Sequence, residues 1–124
     1  MAPDDELISF IRTYIPSVWS LELLLLLYSD EARWWTSTEL LRELRASTSL
    51  IDENLARFER QGLVVHDGGK WRFTAANLGL AALTDQLRIV YRDRPMHTIG
   101  LISRSDPVQS LAEAFRIKRD ANDT

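Results

Sequence analysis

A chain of 124 residues with 45% apolar and 27% charged side chains has the size and makeup of one domain with one core, and is too apolar to be disordered throughout. The absence of cysteine excludes a disulfide framework and a thiolate metal site. The net charge of −3 is uneven, with six acids against one arginine in residues 1–32 and near balance beyond them, so no segment lays down a broad basic footprint for nucleic acid.

The start, "MAPDDELISF", is acidic and has no apolar run of leader type, so no secretory signal is expected. Leu7, Ile8, Ile11 and Ile15 recur near helical spacing and predict a helix over 4–14. Pro16 interrupts it. "SVWSLELLLLLYS" follows, with Ser17 as N-cap and apolar residues on most faces, which is the pattern of a helix at the centre of a core. Its longest apolar run, "LLLLLY", is too short to span a bilayer. A soluble, cytoplasmic protein with no membrane contact is the expectation.

"DEARWW" reads as a loop or short strand. In "TSTELLRELRAS", Thr36 caps and Glu39 three residues later closes a capping box, with Leu40, Leu41 and Leu44 as the apolar stripe. "ASTS" breaks that helix. A second start is read at Ser49 with Asp52 at N3, and that helix runs to about Gln61 and stops at Gly62. In "LVVHDGGKWRFT", two β-prone runs flank His66–Lys70 with Asp67-Gly68-Gly69 inside, a hairpin signal. Thr74 is read as the cap of a helix "AANLGLAALTDQLRIVYRD" that packs through Leu78, Leu83, Leu87 and Val90 and ends or kinks at Pro95. "MHTIGLIS" continues as a short helix. A last helix over 107–119 opens at Pro107 and carries a stripe of Val108, Leu111, Ala112 and Phe115. The stripe either packs on its own domain or serves as a dimer arm.

The order is diagnostic: two core helices, a short helix, a tight break, a second short helix ending "QGLV", then a Gly-containing hairpin. The fold class read from it is mostly α with a small β-hairpin wing: a winged helix-turn-helix with extra N- and C-terminal helices. One domain spans 1–124, with core helices in 1–30, the helix-turn-helix and wing in 36–74, and C-terminal helices in 75–119. Through "STELLRELRAS", "IDENLARFERQGLV" and "VVHDGGKWRFT", residues 36–74 resemble the MarR and ArsR groups of bacterial transcriptional regulators. The resemblance covers about a third of the chain. It implies a homodimer whose helix 49–61 lies in the major groove of double-stranded DNA while the hairpin over 63–74 touches the flanking backbone. Carried onto this sequence, the DNA-binding candidates are Ser49, Asp52, Glu53, Arg57, Lys70 and Arg72, with Arg60 in support.

A helical wheel at 100° per residue places Ile51, Leu55 and Phe58 on one face and Ser49, Glu53, Ala56, Arg57 and Arg60 opposite, with Asp52 on the flank. The related groups usually carry Thr, Ser, Arg or Gln where this chain has Asp52 and Glu53. A carboxylate there can accept from cytosine N4, but it also repels phosphate by about 1 kcal/mol in water at ~4 Å, and by about 4 kcal/mol where solvent is partly excluded. Six cations lie on this side of the predicted fold: Arg42, Arg45, Arg57, Arg60, Lys70 and Arg72. That is marginal for one chain against ~6–10 phosphate contacts and adequate for two. A second reading therefore stands beside the first: a winged-helix module that binds a protein partner and has little affinity for DNA.

Other groups point to less. "RIVYRDRPMHTIGLISR" gathers Arg88, Arg92, Arg94, His97 and Arg104 against Asp93, either as the solvated face of a helix or as a site for an anion or a second protein. His66 and His97 stand without metal-ligand spacing. The acids at Asp4–Glu6 and Asp30–Glu31 have no nucleophile motif or apolar enclosure near them in sequence. No enzyme activity, metal or cofactor is expected. Of Trp34, Trp35 and Trp71, at least two are expected in the core.

Overall fold

The computed structural model describes residues 3–105. The helix expected over 107–119 lies outside the described residues, and so does its role. The chain runs α1 (Pro3–Tyr14), α2 (Val18–Ser29), β1 (Trp35–Thr36), α3 (Ser37–Leu44), α4 (Thr48–Arg60), β2 (Val64–Asp67), β3 (Lys70–Phe73), α5 (Leu78–Asp93) and α6 (Pro95–Ser105). It is a mostly helical architecture with one small antiparallel sheet of order β1-β3-β2.

Pro16 forces the first break, and α1 and α2 meet at 105°. Ser17 caps α2 by accepting from the Ser20 N–H at 3.2 Å. Leu21, Leu23, Leu24 and Leu27 are essentially inaccessible, so the leucine run is satisfied by neighbours on several sides. α2 packs against α3, α4, α5 and β3 and is the centre of the core, while α1, α5 and α6 pack on one another to one side. Among the described residues no single helix is long and apolar enough to cross a membrane.

Two hydrogen-bond networks fasten α2 to α5. The Tyr28 hydroxyl donates to Asp85 Oδ1 at 2.9 Å, and Arg88 Nη2 donates to the same oxygen at 2.9 Å. These two donors, Arg88 first, hold the Asp85 carboxyl below its ordinary range. The Tyr91 hydroxyl donates to Glu22 Oε2. That bond, with partial burial, pushes its pKa up to about 12.

The sheet follows from alternation and turn chemistry. Val64 pairs with Phe73 and His66 with Trp71, and Val64 and Phe73 are buried. β2 and β3 extend further toward the tip than the sequence suggests. The connection is only Gly68-Gly69, both left-handed at φ +57° and +78°, the conformation a two-residue hairpin turn requires. β1 adds at the other edge of β3 through Trp35↔Trp71. Trp35 is buried, Trp71 packs partly buried against the core, and Trp34 is half-buried.

Three boundaries move. α4 starts at Thr48 with Ser47 as its cap, accepting from the Leu50 N–H, because the first hydroxyl of "STS" already reaches a free amide. α5 starts at Leu78, capped by Asn77, whose Oδ1 accepts from the Leu80 N–H at 2.9 Å. Thr74 is not that cap: its N–H is used by Leu63 C=O and its hydroxyl by Phe73 C=O. Leu78 consequently sits in the first turn of α5, 87% exposed, rather than in the core. Pro95 is the first residue of α6, where a missing N–H costs nothing.

Candidate functional site

Two helices and a hairpin assemble the surface singled out by the sequence. α3 opens with a complete capping box: Thr36 Oγ1 accepts from the Glu39 N–H at 3.1 Å, and Glu39 Oε1 accepts from the Thr36 N–H at 2.9 Å. It closes at Arg45, which adopts the left-handed conformation at φ +55°. Arg45, Ala46 and Ser47 are the whole connection to α4, so the chain turns sharply. α4 ends in a Schellman motif, with Leu63 N–H on Phe58 C=O and Gly62 N–H on Glu59 C=O. Gly62 at φ +79° is the residue that permits it, and buried Leu63 and Phe58 complete the motif's apolar contact.

The inward face of α4 is as expected, with Ile51, Leu55 and Phe58 at 2% exposure or less. The outward face presents Thr48, Ser49, Asp52, Glu53, Glu59 and Arg60, all exposed. Lys70 is exposed beside the hairpin turn, opposite Asp67 in register. Arg72, two residues on, shares its face of the strand, and its guanidinium lies 4.5 Å from the centre of the Trp34 ring.

Arg57 departs from the expectation. Instead of pointing outward beside Glu53, its guanidinium folds back onto α2, donating from Nη2 to Ser20 Oγ at 2.9 Å and to Asn54 Oδ1. Ser20 Oγ in turn donates to Asn54 Oδ1, and Asn54 Nδ2 donates to Leu50 C=O at 2.7 Å. Ser20 and Asn54 are buried, and Arg57 Nε is buried without a hydrogen-bond partner among the described residues. Burial first, then the positive charge of Arg60, lower the Arg57 pKa from its ordinary value, with Glu53 opposing. The inward turn gives two buried oxygens, Ser20 Oγ on α2 and Asn54 Oδ1 on α4, a charged donor. An arginine stem is long enough to bring one while its methylenes cover apolar surface.

Ser20 and Asn54 were not among the residues singled out from the sequence. A lone serine inside "VWSLELLLLLY" was the available signal, since a hydroxyl at the centre of a core demands a polar partner.

The electrostatics are mixed. α4 offers three outward acids, Asp52, Glu53 and Glu59, against Arg60. Glu39 is engaged by the capping box and lies 3.5 Å from Arg33. Among the described residues, Arg42, Arg45, Arg60 and Lys70 make no ion pair and all four are exposed. No group of three or more His, Asp or Glu is arranged to hold a metal ion among the described residues. No family model, curated protein or solved structure matches the chain.

Proposed function

We propose that α3, α4 and the sheet form a winged helix-turn-helix of MarR or ArsR type, and that the chain is a DNA-binding transcriptional regulator acting as a homodimer. The three-residue turn between α3 and α4 has the length of that motif, and a β1-β3-β2 sheet with a two-glycine tip follows it. The observation that carries the reading is the set of cations, Arg42, Arg45, Arg60 and Lys70, that make no ion pair among the described residues and lie on the helix–sheet unit that exposes Ser49 and Asp52. Arg72, braced on Trp34, adds a fifth. α4 reads the groove through Thr48, Ser49 and Asp52, with Glu53 at its margin, and the arginines and Lys70 hold phosphates. Two chains double the cations and place half-sites about one helical turn apart. That a scaffold of this kind usually binds DNA enters by analogy.

The test is fluorescence anisotropy on duplex DNA across a salt series. Arg60→Ala and Lys70→Ala each weaken binding and lower the salt slope by about one. Unchanged affinity for both variants at low salt defeats the reading.

One observation favours a second reading, a protein-interaction module. With Arg57 turned inward, the outward face of α4 is left with acids in excess, which suits a basic protein surface better than phosphate. On this reading Glu53→Gln weakens partner capture and duplex affinity is low in every variant. Immunoprecipitation of the tagged protein, read by both sequencing and mass spectrometry, separates the two: enriched promoter DNA supports the first reading, and a stoichiometric protein without DNA supports the second.

A further inference from the structure

A second surface lies away from α4 and the sheet. α1, α5 and α6 line a half-open cleft of about 440 Å³, within the ~300–1,000 Å³ range of small-molecule sites. Its walls are aliphatic: Leu7 and Ile8 from α1, Ile89 and Val90 from α5, and Leu101 from α6. At its edge, where α5 passes into α6, stand Asp93, Arg94 and His97, all exposed.

The basic run that contains these residues is not uniformly available. Arg88 is engaged by Asp85 at 2.9 Å and Arg92 by Asp93 at 3.1 Å. The carboxylate at the cleft edge therefore already has a cation. Arg94 and His97 have no ion-pair partner among the described residues. A half-open aliphatic cleft whose rim carries a guanidinium and an imidazole with no ion-pair partner among the described residues is complementary to an apolar chain ending in an anion. The walls are alkyl side chains with no ring to stack upon, which selects a flexible aliphatic chain.

We propose that this cleft binds a medium-chain alkyl carboxylate. The chain lies between Ile8 and Ile89, and the carboxylate accepts from the Arg94 guanidinium, whose fork matches its two oxygens. A His97 ring N–H reaches the same head group. The inference is independent of whether α4 meets DNA or protein, because none of the lining residues belongs to α3, α4 or the sheet.

Isothermal titration of the full chain with hexanoate, octanoate and decanoate tests it. Each added methylene is expected to tighten binding by roughly fourfold. Decylamine, with the same chain and a cationic head, is expected to bind at least tenfold more weakly than decanoate. Arg94→Glu, a substitution at an exposed position, reverses that preference. Ile8→Trp, checked for fold by circular dichroism, fills the cleft and abolishes decanoate binding. Absence of decanoate binding at millimolar concentration, equal binding of decanoate and decylamine, or an unaltered preference in Arg94→Glu each overturns the proposal.

Discussion

Arg57 Nη2 donates to Ser20 Oγ at 2.9 Å, so the outward-facing helix α4 is tied to the centre of the core. The cluster of Ser20, Asn54 and Arg57 sets the position of α4 on α2, and through it the presentation of Ser49, Asp52 and Glu53. Asn54→Ala removes the buried Oδ1 that accepts from both the Ser20 hydroxyl and the Arg57 guanidinium and is expected to cost about 1–3 kcal/mol. Arg57→Ala falls in the same range. The double variant is expected to cost less than the sum by at least about 0.5 kcal/mol. Urea unfolding of the four proteins measures this; strict additivity means that the three side chains do not act as a unit.

A different strain sits at the turn between α3 and α4. Arg45 holds φ +55°, a conformation that costs a side-chain-bearing residue about 1–2 kcal/mol. Glycine relieves that cost but adds freedom to the unfolded chain worth about 0.4–1 kcal/mol. Arg45→Gly is therefore expected to stabilise by about 0.5–1 kcal/mol, seen as a melting point a few degrees higher. A lower melting point contradicts it. Should the chain bind duplex DNA, the same variant loses one phosphate contact, so stability and affinity move in opposite directions.

Gly62 and Gly69 have similar φ values, +79° and +78°, yet substitution is expected to separate them. A Cβ at Gly69 meets open space, so Gly69→Ala carries the backbone cost alone, about 1–2 kcal/mol. A Cβ at Gly62 lies 2.9 Å from Ala76 Cβ. That segment is fixed, because the Ala76 N–H donates to Gly62 C=O at 2.7 Å. Gly62→Ala therefore exceeds Gly69→Ala in cost, and chemical denaturation of the pair reads the difference. Equal losses mean that the Gly62–Ala76 approach relaxes freely.

Much of the architecture was legible because local signals agreed with one another. The Thr36–Glu39 box, the Gly62 stop and the Asp67-Gly68-Gly69 turn each name their own geometry. Ile51, Leu55 and Phe58 fall on one face by period alone. Two kinds of feature were hidden. Caps shift when several hydroxyl or amide residues adjoin a helix start, as at Ser47 against Ser49 and Asn77 against Thr74, since the choice depends on which free amide each side chain reaches. The direction of Arg57 was also hidden. A wheel assigns a Cβ to a face, whereas an arginine stem carries its charge several ångströms further, toward whatever buried acceptor the tertiary fold supplies. Here Ser20, 37 positions away in sequence, supplies it. The same holds for the cleft between α1, α5 and α6. Arg94 and His97 belong to a run whose sequence allowed either a solvated face or a site for an anion or a second protein, and only the pairing of Arg88 and Arg92 distinguishes them.

The bond from Tyr91 to Glu22 predicts a pH dependence on the alkaline side. Tyr91 titrates at 10.0 in the unfolded chain, while in the fold its pKa is pushed up to about 12, first by the hydrogen bond to the Glu22 carboxylate and then by partial burial. A raised pKa means that the fold favours the protonated form. Below pH 10 both states hold the proton and the contribution of the bond is fully present. Between pH 10 and 12 the unfolded chain loses the proton while the folded chain keeps it, so stability falls as pH rises. Above about 12 the contribution is gone. Tyr91→Phe removes this dependence and leaves that of Tyr28, which is raised in the same direction by burial and Asp85. The stability difference between the parent chain and Tyr91→Phe is expected to be constant from pH 7 to 9.5 and to shrink steadily from pH 10 to 12. Denaturant midpoints at half-unit pH steps measure it, and lysine and arginine titration cancels in the difference. A difference that stays constant through pH 11.5 means that Tyr91 ionises alike in the folded and unfolded chain and that its hydroxyl does not fasten α5 to α2.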